Sequence, residues 1–521
     1  MCIRDSWWTA GGIAVAAIVA LLLAGPFAQS TRPLATGNTV VAATPTSAIA
    51  LAVLPFANLS SEQDQEFFSD GLTEEISSAL AKVPDLRMVA RTSAFEFKGQ
   101  NRNIRMIGEQ LGATHLIEGS VRKAGDRVRI TVQLISAQDG TRLWSENYDR
   151  ELTDIFAIQE DIARAVTASL HTPLGLGPGE NLVNNRSIDP DSYQQYLRAK
   201  ALYRARGLAN LNTVIALTEQ VVARYPDYGP AWALLSSAHT VLPNYSGLPA
   251  LTSERLLQVL QSSREKAEPA AQKAIQLDPN LADGYVALGT VQSRAGKYLQ
   301  AEELYSKALA LDPNQPEALN MHSQMLSYVG EVNKSLAKRR QSLQLEPFDP
   351  NSNLDLARLL WLSGDDEGAL AIYTSLSTGN TNGLIARVHA AAGRFDEAAN
   401  TLLSAPSGTY RPEVLVEAVR LLHAAPTATV PPNPMRLGPL DFVYLFVGAP
   451  GRVLDVYERN VEAGWMNNAQ WVVLWHSSYA PVRKTDRFKA LVRNTGMVEY
   501  WRAKGWPDLC RPVGADDFVC E

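Results

Sequence analysis

Ala274-Ile275-Gln276-Leu277-Asp278-Pro279-Asn280, Ala308-Leu309-Ala310-Leu311-Asp312-Pro313-Asn314 and Ser342-Leu343-Gln344-Leu345-Glu346-Pro347-Phe348 are three versions of one phrase. Pro279 and Pro313 stand 34 residues apart, and so do Pro313 and Pro347. Such a period marks a supersecondary unit that cannot bury its apolar face alone and stacks on its neighbours. Each acid-proline pair ends a helix, because proline disfavours helical geometry in the residue before it. In the clearest unit, small residues at Gly289, Ala301 and Ala308 let two helices approach, and Tyr298 and Tyr305 fill the space between units.

A period of 34 belongs to the tetratricopeptide repeat, a helix-turn-helix unit. Weaker units surround the three clear ones. Trp232 follows Pro226 at the interval by which Tyr285 follows Pro279. Pro226 and Pro279 are 53 residues apart, one period plus an insertion of 19, placed around Pro243 to Ser253. Gly364 with Tyr373, and Gly393 with Phe395, extend the pattern, so five to seven helix pairs are expected over residues 191–464. A proline-rich break at Pro426 to Pro439 precedes the last helical section, and residues 465–521 form an aromatic-rich cap against the last repeat. Stacked pairs make a superhelix with a concave face. Asp283, Thr290, Asn320 and Gln324 fall on that face, with Arg358 and Trp361 extending it. They are the candidate contacts for a protein or peptide partner; the alternative is that they merely solvate an unused groove.

Before the array the periodicity changes. Ile49 to Phe56 is a short apolar run that reads as a buried strand. Phe67, Leu72, Ile76 and Leu80 fall at helical spacing, and so do Ile104, Ile107 and Leu111. Strands are expected at Leu86–Ala90, Thr114–Val121, Val128–Ile135 and Thr141–Tyr148, with Gly125-Asp126 and Asp139-Gly140 as turns. Strict alternation in Val128 to Leu134 indicates a sheet wet on one face. Ile155, Ile158, Ile162 and Val166 stripe a last helix. The order βαβαβββα implies a small mixed-sheet α/β domain over residues 49–172 with helices on one side. Ser69 or Asp70 reads as a helix cap. Residues 173–190, with glycines that lack phosphate-loop spacing, read as a hinge-like linker.

Trp7 to Ala28 carries no formal charge and is long enough to cross a bilayer. It reads as a transmembrane anchor or, alternatively, as a signal peptide cleaved near Ala28. Residues 29–48, rich in Thr, Ala, Pro and Ser, form a flexible linker. Both readings put the rest of the chain outside the cytoplasm: a single-pass inner-membrane protein with residues 29–521 periplasmic, or a protein released to the periplasm. The opening Met1-Cys2-Ile3-Arg4-Asp5-Ser6 resembles adapter-derived residues at the ends of assembled environmental gene models. On that reading the natural protein begins further upstream.

The α/β segment resembles a known family. Ala52 to Ser60 is similar to its first strand and Phe68 to Ile76 to the helix that follows. Ala90 to Ser93, Leu116 to Arg122 and Leu143 to Arg150 fit as well. The family is the TolB N-terminal-like (FlgO-like) domain of extracytoplasmic bacterial proteins. The resemblance implies a domain that commonly precedes tetratricopeptide repeats. Upstream of its membrane helix it often carries a winged-helix DNA-binding domain, as in CadC-like regulators, or a class III adenylyl cyclase domain. This chain offers residues for neither.

Composition narrows the function. Of 521 residues, 48 are Lys or Arg and 54 Asp or Glu, a net charge of −6, so the basic footprint of a nucleic-acid binder is absent. At 46% hydrophobic and 20% charged the chain can build cores. Three cysteines and seven scattered histidines give no metal-ligand spacing, and no cofactor motif occurs. In an oxidising compartment Cys510 and Cys520 are expected to form a disulfide. No Walker A, H-E-x-x-H, G-x-S-x-G or C-x-x-C motif is present. The reading is therefore α/β plus all-α: a membrane helix, a mixed-sheet domain and a tetratricopeptide-repeat solenoid. Functionally it is a noncatalytic protein-binding module, the sensory or scaffold part of a bacterial signal-transduction protein. The alternatives are a complete envelope assembly scaffold and a fragment of an adenylyl cyclase whose catalytic domain lies upstream.

Overall fold

The computed structural model describes residues 49–60, 66–89, 91–100, 103–175, 181–183, 188–245, 253–376, 381–430, 434–462, 464 and 471–521. The expected membrane segment 7–28 and the linker 29–48 lie outside the described residues. No helix among those described is long and apolar enough to cross a membrane.

The α/β domain is a mixed sheet in the order β3-β1-β4-β5-β6, with the short β2 also on β4. Its strands are β1 (Ile49–Val53), β2 (Ala57–Asn58), β3 (Leu86–Met88), β4 (His115–Ala124), β5 (Arg127–Ser136) and β6 (Arg142–Glu151). β1, β3 and β4 are parallel, whereas β4, β5 and β6 form antiparallel hairpins with Ile117 opposite Leu134 and Ile130 opposite Tyr148. Gly125 (φ 57°) and Gly140 (φ 76°) close the two tight turns, in the left-handed region that side chains resist.

Helices cover both faces of this sheet, not one. Phe68, Leu72 and Ile76 of α1 (Glu66–Leu80) and Ile158 and Ile162 of α4 (Ile155–Ser169) pack on Leu51, Val53, Ile117, Ile130 and Val132. On the opposite face, α2 (Arg91–Phe95) and α3 (Ile104–Leu111) bury Ala94, Ile107 and Leu111 against Ala52, Leu54 and Leu116. The reason is in β1, which is apolar at consecutive positions and so has two faces to cover. Only β5 and β6 keep a wet face: Val128, Ile130, Val132 and Leu134 are fully buried, with polar residues between them.

Six antiparallel helix pairs follow among the described residues, from α5 (Pro190–Ala205) and α6 (Leu208–Arg224) to α15 (Asn382–Ala391) and α16 (Phe395–Leu403). The pairs between are α7 (Gly229–Val241) with α8 (Ser253–Leu277), α9 (Ala282–Arg294) with α10 (Tyr298–Leu311), α11 (Pro316–Tyr328) with α12 (Val332–Leu345), and α13 (Pro350–Leu362) with α14 (Asp366–Ser375). Part of the 19-residue insertion is helix rather than loop: α8 has 25 residues where α10 and α12 have 14. In the clear unit Ala301 and Ala308 are fully buried, and a Cβ on Gly289 would lie 2.8 Å from the Tyr305 ring.

The α/β domain is packed onto the array. Gly71 abuts Leu197 of α5, where a Cβ would meet the leucine at 2.9 Å. Leu182, within the expected linker, is fully buried, and its carbonyl accepts from Lys82 Nζ at 2.6 Å. Leu182 is therefore held against the α/β domain. Ser69 and Asp70 lie inside α1 and cap nothing; Asp70 instead pairs with Lys98 at 2.6 Å. The turns between units also touch the domain, with Phe348 edge-on to Phe97 and Asn314 donating to the Leu86 carbonyl at 3.4 Å.

The C-terminal section corrects a further expectation. It does not cap the last repeat but folds back over the central ones. Trp471, Trp475 and Trp501 share one buried cluster with Tyr298, Tyr305, Met325 and Trp361. Contact falls on the turns inside the repeats. Gly496 lies against the Gly296 carbonyl, leaving no room for a side chain, and Gly330 (φ 85°) faces the Trp475 ring, where a Cβ would sit 3.1 Å away. Trp501 Nε1 donates to the Val329 carbonyl at 2.7 Å. The section ends in a β7–β8 ribbon (Cys510–Val513, Asp517–Cys520), where Cys510 and Cys520 are joined by a disulfide.

Candidate functional site

The α/β domain meets the turns between repeats, and the C-terminal section meets the turns within them. Against the central repeats lies a cavity of about 750 Å³. One wall comes from the repeats: Thr290 and Arg294 of α9, Tyr305 of α10, and Gln324 and Tyr328 of α11. The other comes from far along the chain: Tyr410, Arg411, the stretch 434–439, Tyr444 and Arg459.

Only two of the six expected concave-face residues, Thr290 and Gln324, line this cavity. The Thr290 hydroxyl donates to the Val286 carbonyl at 2.8 Å and accepts from the Tyr305 hydroxyl at 3.3 Å. Asp283 accepts from Gln315 Nε2 at 2.7 Å, in the neighbouring repeat. Asn320 and Arg358 belong to an internal network around Arg339, which is 1% exposed. Arg339 donates to Asn320 Oδ1 and pairs with Asp355 at 3.2 Å, while Asp355 holds Arg358 at 2.6 Å. Burial opposes the charge on Arg358, yet Asp355 with Tyr373 and Tyr328 together outweigh it and raise its pKa above the usual arginine value. Trp361 is not on the groove at all. It is 2% exposed, and His476 of the C-terminal section stacks on it at 4.0 Å. These positions carry helical spacing correctly, but spacing cannot report that the chain folds back upon them.

Arg294 was missed although its signal was available. It lies four residues after Thr290 on the same helical face, as Tyr328 does after Gln324. Its guanidinium donates to Asn244 Oδ1 at 3.1 Å. It has no carboxylate partner among the described residues. Burial lowers its pKa below the ordinary arginine value. The second wall had no local signal, being more than 80 residues away in sequence.

A second cluster sits between the α/β domain and α5. Glu74 is 7% exposed and carries Lys200 at 2.7 Å, both arms of the Arg204 guanidinium, and Arg91 at 3.6 Å. Burial alone would raise its pKa. Arg204, Lys200 and Arg91 overcome that and hold the carboxyl far below the usual range. Arg91 in turn lies 3.5 Å over the Phe95 ring. Every member has a partner, so the cluster reads as an ionic joint between two parts of the chain. Among the described residues no group of three or more potential metal ligands occurs.

Residues 47–165 match the family model of the HilA/YgeH-like transcriptional regulator, second domain, and residues 270–303 match a tetratricopeptide repeat model. A putative adenylate cyclase 3 of Rhizobium meliloti (strain 1021) is 33% identical over 255 residues, which cover 48% of this chain and 41% of that protein. The chain thus spans less than half the length of that relative. Among solved structures, a thermophilic tetratricopeptide protein of Thermus thermophilus overlaps 41% of this chain and 99% of its own, at 17% identity and a TM-score of 0.30. The pilF protein of Pseudomonas aeruginosa overlaps 41% of this chain and 89% of its own, at 15% identity and a TM-score of 0.31.

Proposed function

We propose that this chain is a noncatalytic protein-binding module, the sensory or scaffold part of a membrane-anchored bacterial signal-transduction protein. The observation that carries the reading is the helical-repeat array joined through the Glu74 ion cluster to the α/β domain. Stacked repeats are a general platform for protein partners, and a shift in one part can pass to the other through a packed joint. Trp7 to Ala28 would hold the module to the inner membrane, with residues 29–521 on the periplasmic side. The α/β domain we read as TolB N-terminal-like from the sequence blocks given above; the matched model, from a regulator family, is compatible with a role in signalling.

The cavity narrows where a partner would bind. With this face of the central repeats covered by Tyr410, Arg411, Tyr444 and Arg459 of the same chain, a protein partner meets the outer surfaces or displaces that wall. A second reading, that the chain accompanies an adenylyl cyclase domain in a longer protein, is favoured by its likeness to a putative adenylate cyclase. A free-standing envelope scaffold is the third.

Fractionation of cells expressing the full chain tests the proposal. The chain should stay with membranes after high-salt washing and be digested by protease added to spheroplasts. Release into the periplasm after cleavage near Ala28 would support a secreted form instead. Recovery from the cytosol would contradict the extracytoplasmic reading. Conversion of ATP to cyclic AMP by the purified chain would contradict its noncatalytic character.

A further inference from the structure

We infer that the cavity between the central repeats and residues 409–414 and 434–460 is a binding site for a small aromatic anion. Its volume of about 750 Å³ falls within the range of small-molecule sites, about 300–1,000 Å³. The charge of its walls is lopsided: five arginines (Arg294, Arg411, Arg436, Arg452 and Arg459) face two acids, Asp441 and Asp455. Two of the five are engaged by carboxylates, Arg452 with Asp455 at 3.4 Å and Arg411 with Glu413 at 3.3 Å. Asp455 is drawn further away by Arg487 at 2.8 Å, outside the cavity. Arg436 stands near Asp441.

That leaves Arg294 in the repeat wall and Arg459 in the opposite wall. Both are partly buried, and neither has an ion-pair partner among the described residues. A guanidinium withdrawn from water without a counter-charge favours an anion that supplies one, and its planar fork suits carboxylate or phosphate oxygens. The apolar complement is aromatic: Tyr305 and Tyr328 on one wall, Tyr410 and Tyr444 on the other. Rings line such sites because they offer wide faces with few torsions to freeze. An acid group between the two arginines and a ring among the tyrosines satisfies both halves of the lining. The inference is independent of the membrane and of any protein partner, because both walls of the cavity come from one chain.

Calorimetric titration of the full chain with three probes of one size decides it: 4-hydroxyphenylacetate, its neutral amide 4-hydroxyphenylacetamide, and the cation tyramine. The acetate should bind at one site, at least about tenfold more tightly than the amide, with tyramine weakest. Arg294→Gln should abolish that preference, and Arg459→Gln, at a helix end, should weaken it while leaving the melting temperature of the free chain unchanged. Equal binding of the acetate and the amide, or no binding of the acetate at millimolar concentration, would overturn the inference. So would unaltered preference in a folded Arg459→Gln chain together with a folded Arg294→Gln chain.

Discussion

The indole Nε1 of Trp475 donates to the backbone carbonyl of Tyr328, 3.1 Å away and 147 residues earlier in the chain. Both residues are buried, and the Tyr328 side chain lines the cavity. One bond thus fastens the C-terminal section to the central repeats beside the proposed ligand site.

Removing that anchor should loosen the whole section. Trp475→Ala deletes a ring packed on Phe488 and Trp501, and buried Trp-to-Ala changes cost about 3–5 kcal/mol. Trp475→Phe keeps most of the packing and loses the hydrogen bond, worth about 1 kcal/mol. Thermal melts followed by near-ultraviolet circular dichroism should rank the two in that order. Equal melts for Trp475→Ala and the parent chain would mean the section is not docked.

Glu74 makes a prediction with a definite sign. Its folded pKa is depressed by Arg204, Lys200 and Arg91 against the opposing effect of burial. A depressed acid contributes stability that is complete above the unfolded value, about 4.3 for Glu. The contribution is lost as pH falls below that value. Denaturant midpoints should therefore drop between pH 5 and 3 in the parent chain, and less steeply in Glu74→Gln. At pH 7 the same variant should be destabilised by about 3–5 kcal/mol, as when one partner of a buried pair is removed.

Asp312 should behave in the opposite way. Burial, helped by the nearby Asp283 charge, raises its pKa to about 6. An acid whose folded pKa is raised costs stability as pH climbs from its unfolded value through the folded one. Asp312→Asn retains the acceptor for the Asn314 amide, which the carboxylate now accepts at 3.0 Å. The variant should melt higher than the parent at pH 7 and alike at pH 4. A lower melt at pH 7 would show that the charge is needed there.

Asp355 offers a cleaner cut. It pairs with Arg339, which is almost wholly buried, and with Arg358. Asp355→Ala removes the only carboxylate paired with the buried Arg339 among the described residues and should cost about 3–5 kcal/mol, read from chemical denaturation. The disulfide should weigh less. Closing the short Cys510–Cys520 loop is worth about 2–3 kcal/mol, so the Cys510→Ser, Cys520→Ser chain should melt below the parent but still fold.

The solenoid was legible because the Pro279, Pro313 and Pro347 phrase repeats with a fixed period, and the hairpins because Gly125 and Gly140 sit where strands must reverse. Local patterns of that kind survive in any tertiary context. Trp361 shows where they stop. Its spacing puts it on an exposed helical face, but His476, over 100 residues later, covers it. The two-sided α/β sheet was partly visible, since Ala52 and Leu54 interleave with Leu51 and Val53 and leave no polar face on β1. Arg294 was readable from its spacing to Thr290. Arg459, on the far wall, lies 131 residues after Tyr328 in the chain and has no periodicity to announce it.

The fold-back of residues 471–521 over the central repeats is the claim on which the covered Trp361 and the Trp475 anchor beside the cavity depend. It is tested most directly by zero-length carbodiimide cross-linking of the full chain followed by peptide mass spectrometry. Lys504 lies 3.1 Å from Glu302 in the structure, so an amide between these two residues should be among the cross-links found. Lys504 joined only to carboxylates within residues 499–521, with Glu302 unlinked, would contradict the account.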